Sequence, residues 1–145
     1  MEEIVPGLAG ELETTVTEAD TAARWGSGLV PTLSTPTLVA LMESAAVRAL
    51  AGRLAPGQTS VGARVELRHL APTPVGMRVR ARAQLVQVDG RRLVFEIEAW
   101  DEREAIGLAT HERFIVDMER FVRKAMAKHE PPGDEPAATE RLDKG

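Results

Sequence analysis

The sequence predicts an α+β domain in which one long buried helix is wrapped by a curved antiparallel sheet. Residues 36–53 carry apolar side chains on nearly every side of a predicted helix, and a helix that is apolar all round is normally buried. Residues 61–117 then alternate apolar and polar side chains in four successive segments, a pattern typical of half-buried strands. Because an apolar helix needs cover on most sides, we expect the sheet to curve around it.

The length and composition favour a single domain. The chain has 145 residues, which is within the usual range for one domain. Residues 131–145 are rich in proline and charged residues and offer little apolar surface to bury. We therefore expect one domain over residues 1–130, followed by a disordered tail over residues 131–145.

Two short elements precede the long helix. Residues 11–17 have a short strand-like pattern, and residues 17–25 predict a brief helical turn. That turn is capped by Thr17, with Asp20 at the third helical position. In the long helix, which is expected over Pro36–Arg53, Thr35 suits the N-cap and Pro36 the first helical position.

The strand that follows the long helix carries a histidine at its end. Five alternating side chains are expected on one face, namely Val61, Ala63, Val65, Leu67 and His69. The proline-rich segment 72–76 breaks the pattern directly afterwards. His69 is therefore predicted to lie on the apolar face, at the end of the strand.

The remaining segments continue as antiparallel hairpins. Residues 78–88 and 91–102 alternate on either side of Asp89-Gly90, a strong signal for a two-residue hairpin turn. Residues 105–117 predict the last strand, and residues 118–129 predict a closing amphipathic helix.

The composition excludes several classes of function. The chain has 18 basic and 22 acidic residues, a net charge of −4, and 3% aromatic residues, so we expect no nucleic-acid partner. With no cysteine, disulfides, thiolate nucleophiles, zinc-thiolate sites and iron–sulfur clusters are excluded. No apolar run approaches the length of a membrane span, and the acidic first residues do not resemble a signal peptide. We therefore expect a cytoplasmic protein without a membrane partner.

Glu43 is the most informative residue of the long helix. The four residues one turn away from it are apolar: Val39, Ala40, Ala46 and Val47. A carboxylate in such surroundings must find a partner, become protonated or reach a solvent-filled pocket. Positions of this kind are candidates for functional sites. The alternative is a partly exposed glutamate at the edge of the helix.

Each of the other candidate residues, considered alone, is weaker evidence for a functional site. His69 is equally consistent with a catalytic residue and with a buried structural histidine. His111, on an apolar strand face, and His129, in the last turn of the closing helix, are expected to be structural. Thr35 is explained as an N-cap, although a helix N-terminus also offers free N–H groups that can stabilise an oxyanion.

Taken together, the motifs resemble a known family. Thr35 stands eight residues before Glu43, which lies within Leu-Met-Glu-Ser-Ala-Ala. The following strand ends in His-Leu-Ala-Pro-Thr-Pro-Val-Gly from His69, and Gly-Arg-Arg-Leu at 90–93 and Thr-His-Glu-Arg at 110–113 come later. In order and spacing, this pattern resembles the hotdog-fold thioesterases, and more closely the fluoroacetyl-CoA thioesterase family.

The resemblance implies a hotdog fold and hydrolysis of an acyl-CoA thioester. It assigns catalysis to Thr35, Glu43 and His69 and places Gly62 near the thioester. Glu43 would activate water or attack the thioester itself, Thr35 would position Glu43 or the water, and His69 would act as general acid or base near the CoA sulfur. It implies no metal, no cofactor besides the CoA of the substrate, and a homodimer or dimer of dimers. In such a dimer, Glu43 and His69 can come from different chains.

The resemblance to this family also bears on the identity of the acyl group and on two alternative functions. Segment 16–33 contains Trp25 but none of the phenylalanines found over the acyl pocket of the family's fluoroacetyl-specific enzyme. We therefore expect a small or short-chain acyl group, without a strong preference for fluoroacetyl. The alternative function is a non-catalytic acyl-CoA-binding module. A hotdog hydratase, which expects an Asp followed five residues later by His on the helix segment, is disfavoured because no His lies between Thr35 and Leu54.

Overall fold

A helix packed against a curled antiparallel sheet forms the centre of the computed structural model, which describes residues 3–131. Within these residues the sheet has five strands in the order β1-β3-β4-β5-β2, and every neighbouring pair is antiparallel. The strands are β1 Ala9–Thr15, β2 Gln58–His69, β3 Arg78–Asp89, β4 Arg92–Trp100 and β5 Ala105–Asp117. The helices are α1 Ala22–Trp25, α2 Thr35–Ala49 and α3 Met118–Met126.

The structure therefore contains the long helix and the antiparallel sheet that the sequence predicts. Residues 132–145, which make up nearly all of the predicted tail, lie outside the described residues. The boundary at residue 130 and the disorder of the tail stay predictions.

The N-terminus of α2 lies one residue earlier than the sequence suggests. Ser34, rather than Thr35, is the N-cap: its Oγ accepts a hydrogen bond from the backbone N–H of Thr37 at 3.2 Å. The prediction of Thr35 as the cap was wrong because serine directly before it caps a helix equally well. As a result, the Thr35 hydroxyl is not used for capping.

The C-terminus of α2 also differs from the prediction. The helix ends at Ala49 rather than Arg53. The chain then turns, and Gly52 has a φ of +75°, a left-handed conformation in which glycine is favoured after a helix. The predicted extension to Arg53 was therefore too long by about one helical turn.

Within one chain, α2 is buried on one side rather than all round. Its buried side chains are Leu38, Leu41, Met42, Ala45, Ala46 and Ala49. On the side that carries Glu43, Val39 is partly exposed and Val47 is 49% exposed. The apolar residues on this second side are therefore left uncovered by the chain's own sheet.

A β-bulge divides β2 into two halves that face differently. The pairing of β2 with β5 shifts between Gly62 and Arg64, which leaves one extra residue in β2 and reverses the alternation there. Gly62 points towards α2, while Ala63 is exposed. The prediction of one common face is therefore correct for Val65, Leu67 and His69 and wrong for Val61 and Ala63.

The β3–β4 hairpin is formed at the predicted place with a shift of one residue. Asp89 pairs with Arg92, so Gly90 and Arg91 form the loop. Gly90 has a φ of +61°, as the first position of a tight hairpin turn favours. The last strand has the predicted bounds, and α3 begins at Met118 as expected, after which a 3₁₀ turn over Ala127–His129 completes the predicted segment.

The short turn before α2 is capped as predicted. The Asp20 carboxylate accepts hydrogen bonds from the backbone N–H and the hydroxyl of Thr17, at 2.8 and 2.9 Å. The predicted helical segment is nevertheless divided into a 3₁₀ turn, Glu18–Asp20, and the separate helix α1. Thr21 lies between them and caps α1 by accepting from the N–H of Arg24 at 3.3 Å.

Candidate active site

The candidate residues form two separate groups along α2. Thr35 occupies the first turn of the helix and Glu43 its middle. Eight residues of helix separate their backbones by about 12 Å along the axis. The structure therefore brings Thr35 together with one set of partners and Glu43 with another.

The first group joins the start of α2 to the end of β2. Thr35 Oγ1 and His69 Nδ1 lie 2.8 Å apart and form a hydrogen bond. Burial lowers the pKa of His69, and the nearby backbone of Ala71 opposes this effect. The other ring nitrogen, Nε2, is buried and has no hydrogen-bond partner among the described residues. A buried polar atom of this kind is available to a bound substrate.

The second group surrounds Glu43. Arg113 of β5 donates a hydrogen bond from Nη1 to Glu43 Oε2 at 3.0 Å. His111 Nε2 lies 3.7 Å from the same carboxylate oxygen. Both β5 side chains are buried, whereas the Glu43 side chain is 38% exposed. Glu43 thus finds the partner that the sequence did not supply and also reaches the surface of the single chain.

Gly62 forms the wall of the Glu43 group. A Cβ atom added at Gly62 would lie 2.5 Å from Glu43 Oε2 and 3.4 Å from both Arg113 Nη1 and His111 Cε1. Because glycine has no side chain, the Glu43 carboxylate has room to lie against the backbone at this position. This contact places Gly62 next to the candidate catalytic group.

The sequence interpretation missed Arg113 and assigned His111 to structure alone. Both residues lie on the same parity of β5 as Ala109, the face that is buried against α2. An arginine on the apolar face of a strand needs a buried partner, and this was the available signal. The partner could not be named because 70 residues separate Arg113 from Glu43.

His111 is held as a neutral ring. Burial lowers its pKa, and the Arg113 charge adds to this effect, while the Arg64 carbonyl and the carboxylates of Glu43 and Glu112 oppose it. His111 Nδ1 lies 2.8 Å from the Arg64 carbonyl oxygen. Because a carbonyl oxygen accepts but cannot donate, Nδ1 carries the hydrogen and Nε2 presents a lone pair.

Three comparisons with known proteins agree on a family. The model of the family described as fluoroacetyl-CoA-specific thioesterase matches residues 16–119. The chain belongs to the fluoroacetyl-CoA-specific thioesterase family. A curated fluoroacetyl-CoA thioesterase from Streptantibioticus cattleyicolor is 43% identical over 91 residues, which are 63% of this chain. The alignment spans 66% of the length of that relative.

Solved structures place this member of the thioesterase family in the same fold. A fluoroacetyl-CoA thioesterase structure superposes with a TM-score of 0.81 at 31% identity, covering 90% of this chain and 100% of the other. A thioesterase superfamily member from Thermus thermophilus gives 0.80 at 31% identity, covering 89% and 98%. A hot-dog-like protein from Thermanaerovibrio acidaminovorans gives 0.80 at 25% identity, covering 88% and 94%. The predicted hotdog fold and thioesterase family are confirmed.

Two further observations concern metals and membranes. Within residues 3–131, no three His, Asp or Glu side chains are arranged to hold a metal ion. Over the same residues, this thioesterase family member has no helix that is both long and apolar enough to cross a membrane.

Replacing Gly62 with Ala is expected to lower kcat by about 10²-fold, because misplacement of a reacting group by about 1 Å costs that much. The new methyl group would overlap Glu43 Oε2, the end of a flexible side chain that can move aside. We therefore expect the fold to survive while the carboxylate is displaced. Circular dichroism and steady-state kinetics measure the two effects. Replacing exposed Ala63 with Gly is the matched control, and a kcat for Gly62→Ala near that of the wild type would contradict the assignment.

Acidification is expected to lower the free energy of unfolding. Burial lowers the pKa of both His69 and His111, so the unfolded chain binds more protons than the folded chain as the pH falls through about 6.5. Stability is therefore present at neutral pH and is lost below that value. Urea unfolding at several pH values measures the slope. His69→Asn should flatten it, and a constant stability down to about pH 5 would contradict the prediction.

Proposed function

We propose that this protein hydrolyses a small or short-chain acyl-CoA thioester to the free acid and CoA. The observation that carries the proposal is the position of the Glu43 carboxylate. One of its oxygens accepts a hydrogen bond from Arg113, and the residue lies in a helix of a chain that belongs to the thioesterase family. The names of the relatives support an acyl-CoA substrate, because the curated relative is a fluoroacetyl-CoA thioesterase. A carboxylate held in this way suits attack on a thioester carbonyl, either directly or through water.

Two courses of the reaction are compatible with Glu43. As a general base, Glu43 takes a proton from water while the water oxygen attacks the thioester carbonyl, and the carbon–sulfur bond then breaks. As a nucleophile, a Glu43 oxygen attacks the carbonyl and expels CoA thiolate, and water hydrolyses the resulting mixed anhydride. Turnover in H₂¹⁸O distinguishes the two, because the anhydride route can place the label in the Glu43 carboxyl group.

We further propose that the complete site requires a second copy of the chain. In one chain, Glu43 lies about 12 Å along the helix from Thr35, the partner of His69. The side of α2 that carries Glu43 also leaves Val39 and Val47 uncovered. Within the described residues β2 has β5 as its one neighbour, and a free strand edge readily pairs with another chain. A homodimer, or a dimer of dimers, would place Glu43 of one protomer near His69 of its partner.

The rest of the proposal concerns the location, the cofactors and the partners of the enzyme. We propose a cytoplasmic enzyme that needs no metal and no cofactor besides the CoA of its substrate, and that has neither a nucleic-acid nor a membrane partner. The net charge of −4 and the absence of cysteine support this assignment.

We expect hydrolysis without a strong preference for fluoroacetyl-CoA. Segment 16–33 lacks phenylalanine, and Trp25 and Leu29 within it are 58% and 96% exposed in the single chain. Losing a few aromatic contacts to an acyl group changes selectivity by about 10–200-fold. A panel of acetyl-, fluoroacetyl-, propionyl- and butyryl-CoA, compared by kcat/KM, tests both the reaction and the selectivity. No turnover of any member would support a binding module instead, and a strong preference for fluoroacetyl-CoA would contradict the selectivity prediction.

A further inference from the structure

We propose that Thr73 and Asp101 are positioning residues for the Thr35–His69 pair. The inference rests on the proposed function, in which this pair forms one part of the composite site. Thr73 holds together the two segments that carry the pair, and Asp101 holds Thr73.

The pair is assembled from two distant segments of the chain. Thr35 begins α2 and His69 ends β2, so 34 residues separate them. Their side chains nevertheless lie 2.8 Å apart, and a displacement of either segment by about 1 Å would break a hydrogen bond of this length. A group that ties the end of β2 to the start of α2 therefore sets the geometry of the pair.

The backbone of Thr73 supplies such a tie. The loop over residues 70–77 follows β2 and runs beside the segment that precedes α2. Within this loop, the Thr73 carbonyl oxygen accepts a hydrogen bond from the backbone N–H of Leu33 at 2.9 Å. Leu33 lies two residues before Thr35, and Thr73 lies four residues after His69. The position of Thr73 is thus passed to both members of the pair.

The side chain of Thr73 is bound to Asp101. Thr73 is fully buried, although its neighbours Pro72 and Pro74 are exposed. Its hydroxyl donates a hydrogen bond to Asp101 Oδ2 at 2.9 Å. Burying a hydroxyl without a partner is costly, and valine would fill a similar space without this cost. The property that threonine supplies here is therefore the bond to Asp101, which fixes the loop in one direction.

Asp101 is itself held by the turn between β4 and β5. Its Oδ1 accepts from the backbone N–H groups of Arg103 and Glu104, at 2.8 and 3.0 Å. The backbone N–H of Asp101 also donates to the Glu104 carbonyl oxygen at 2.9 Å. Aspartate side chains commonly stabilise turns in this way. One carboxylate oxygen thus belongs to the turn, while the other is directed at Thr73.

The same connection between β4 and β5 also holds the end of β2. The backbone N–H of Leu70 donates to the Ile106 carbonyl oxygen at 2.8 Å, at the start of β5. The loop after β2 is therefore held at Leu70 by the backbone and at Thr73 by a side chain. Loss of the side-chain bond leaves the backbone bonds in place. Since Asp101 is only half-buried, water can replace the lost donor, and we expect the fold to survive.

The test removes the Thr73 hydroxyl with little change of shape. In Thr73→Val, kcat should fall by about 10²-fold with KM changed by less than about threefold, because the reacting groups are misplaced while binding is kept. Thr73→Ser keeps the hydroxyl and should retain most of the wild-type kcat. Asp101→Ala removes the acceptor, and the double variant should lose no more than Thr73→Val alone, because both changes act through one bond. Thr14→Val, at an exposed position of β1, is the control.

A second readout does not depend on turnover. The ring ¹⁵N signals of histidine, recorded by NMR at neutral pH, report on hydrogen bonding at each ring nitrogen. In Thr73→Val the Nδ1 signal of His69 should move from its wild-type position, and in Thr73→Ser it should not. His111 is the internal reference, because its Nδ1 is bound to the Arg64 carbonyl oxygen. If the wild type hydrolyses no acyl-CoA, the proposed function fails and the His69 signal alone decides the inference.

Four results would overturn the proposal. The first is a Thr73→Val protein whose kcat or His69 signal equals that of the wild type, and the second is a higher KM with unchanged kcat. The third is a Thr73→Ser protein as impaired as Thr73→Val, since the hydroxyl would then be irrelevant. The fourth is an equal movement of the His69 and His111 signals, which would indicate a general loosening of the core. Should Thr73→Val fail to fold, Asp101→Ala is judged by the same criteria.

Discussion

Replacing Glu43 with Gln is expected to lower kcat by about 10²–10⁴-fold, the usual cost of removing a general acid or base. The amide can neither accept a proton from water nor attack a thioester, which covers both courses of the reaction. Its oxygen can still accept the hydrogen bond that Arg113 donates to Glu43 at 3.0 Å. Because Gln is also nearly isosteric with Glu, the fold and the affinity for acyl-CoA should change little.

Three measurements check this expectation. Single-turnover kinetics give the chemical step, calorimetry with a slowly hydrolysed acyl-CoA analogue gives the affinity, and thermal unfolding reports on the fold. Glu98→Gln is the matched control, because Glu98 is exposed on β4 and lies outside the proposed site. A near-normal kcat for Glu43→Gln would refute the catalytic assignment of Glu43.

Mixing two inactive variants is expected to restore activity. Glu43→Gln and His69→Ala each disable both sites of a homodimer if every site combines Glu43 of one protomer with His69 of the other. After subunits exchange at random, half of the dimers are mixed and each has one intact site, so about a quarter of all sites should be active. The expected change runs from almost no turnover to about a quarter of the wild-type rate.

The mixing experiment also tests the proposed dimer. Light scattering at micromolar concentration should show a dimer or tetramer, and mass spectrometry of isotope-labelled protomers should show that they exchange. If exchange is complete and no activity returns, Glu43 and His69 act within one chain, and the composite site is wrong. A monodisperse monomer with full activity would also show that the composite site is wrong.

Local signals in the sequence determined most of the elements. The periodicity of residues 105–117 and the Asp89-Gly90 turn depend on side chains close together in the chain, and both were predicted within a residue of their observed positions. The start of α2 was predicted less well, because Ser34 and Thr35 are both good caps. The shift has a functional consequence, since it frees the Thr35 hydroxyl to bond with His69 at 2.8 Å.

Only the tertiary structure decided how the strand faces and the charged groups are arranged. Strict alternation predicted the faces of β2 correctly beyond the bulge but not before it, because the register of the bulge is set by pairing with β5. Gly62, which lies at the bulge, is a local sign of irregularity that strict alternation does not take into account. The sequence by itself predicted the helix, the order of the strands along the chain and the candidates Thr35, Glu43 and His69. The resemblance to the family added Gly62. The partner of Glu43 was decided by packing, because Arg113 is 70 residues away and meets it only when α2 lies on the sheet.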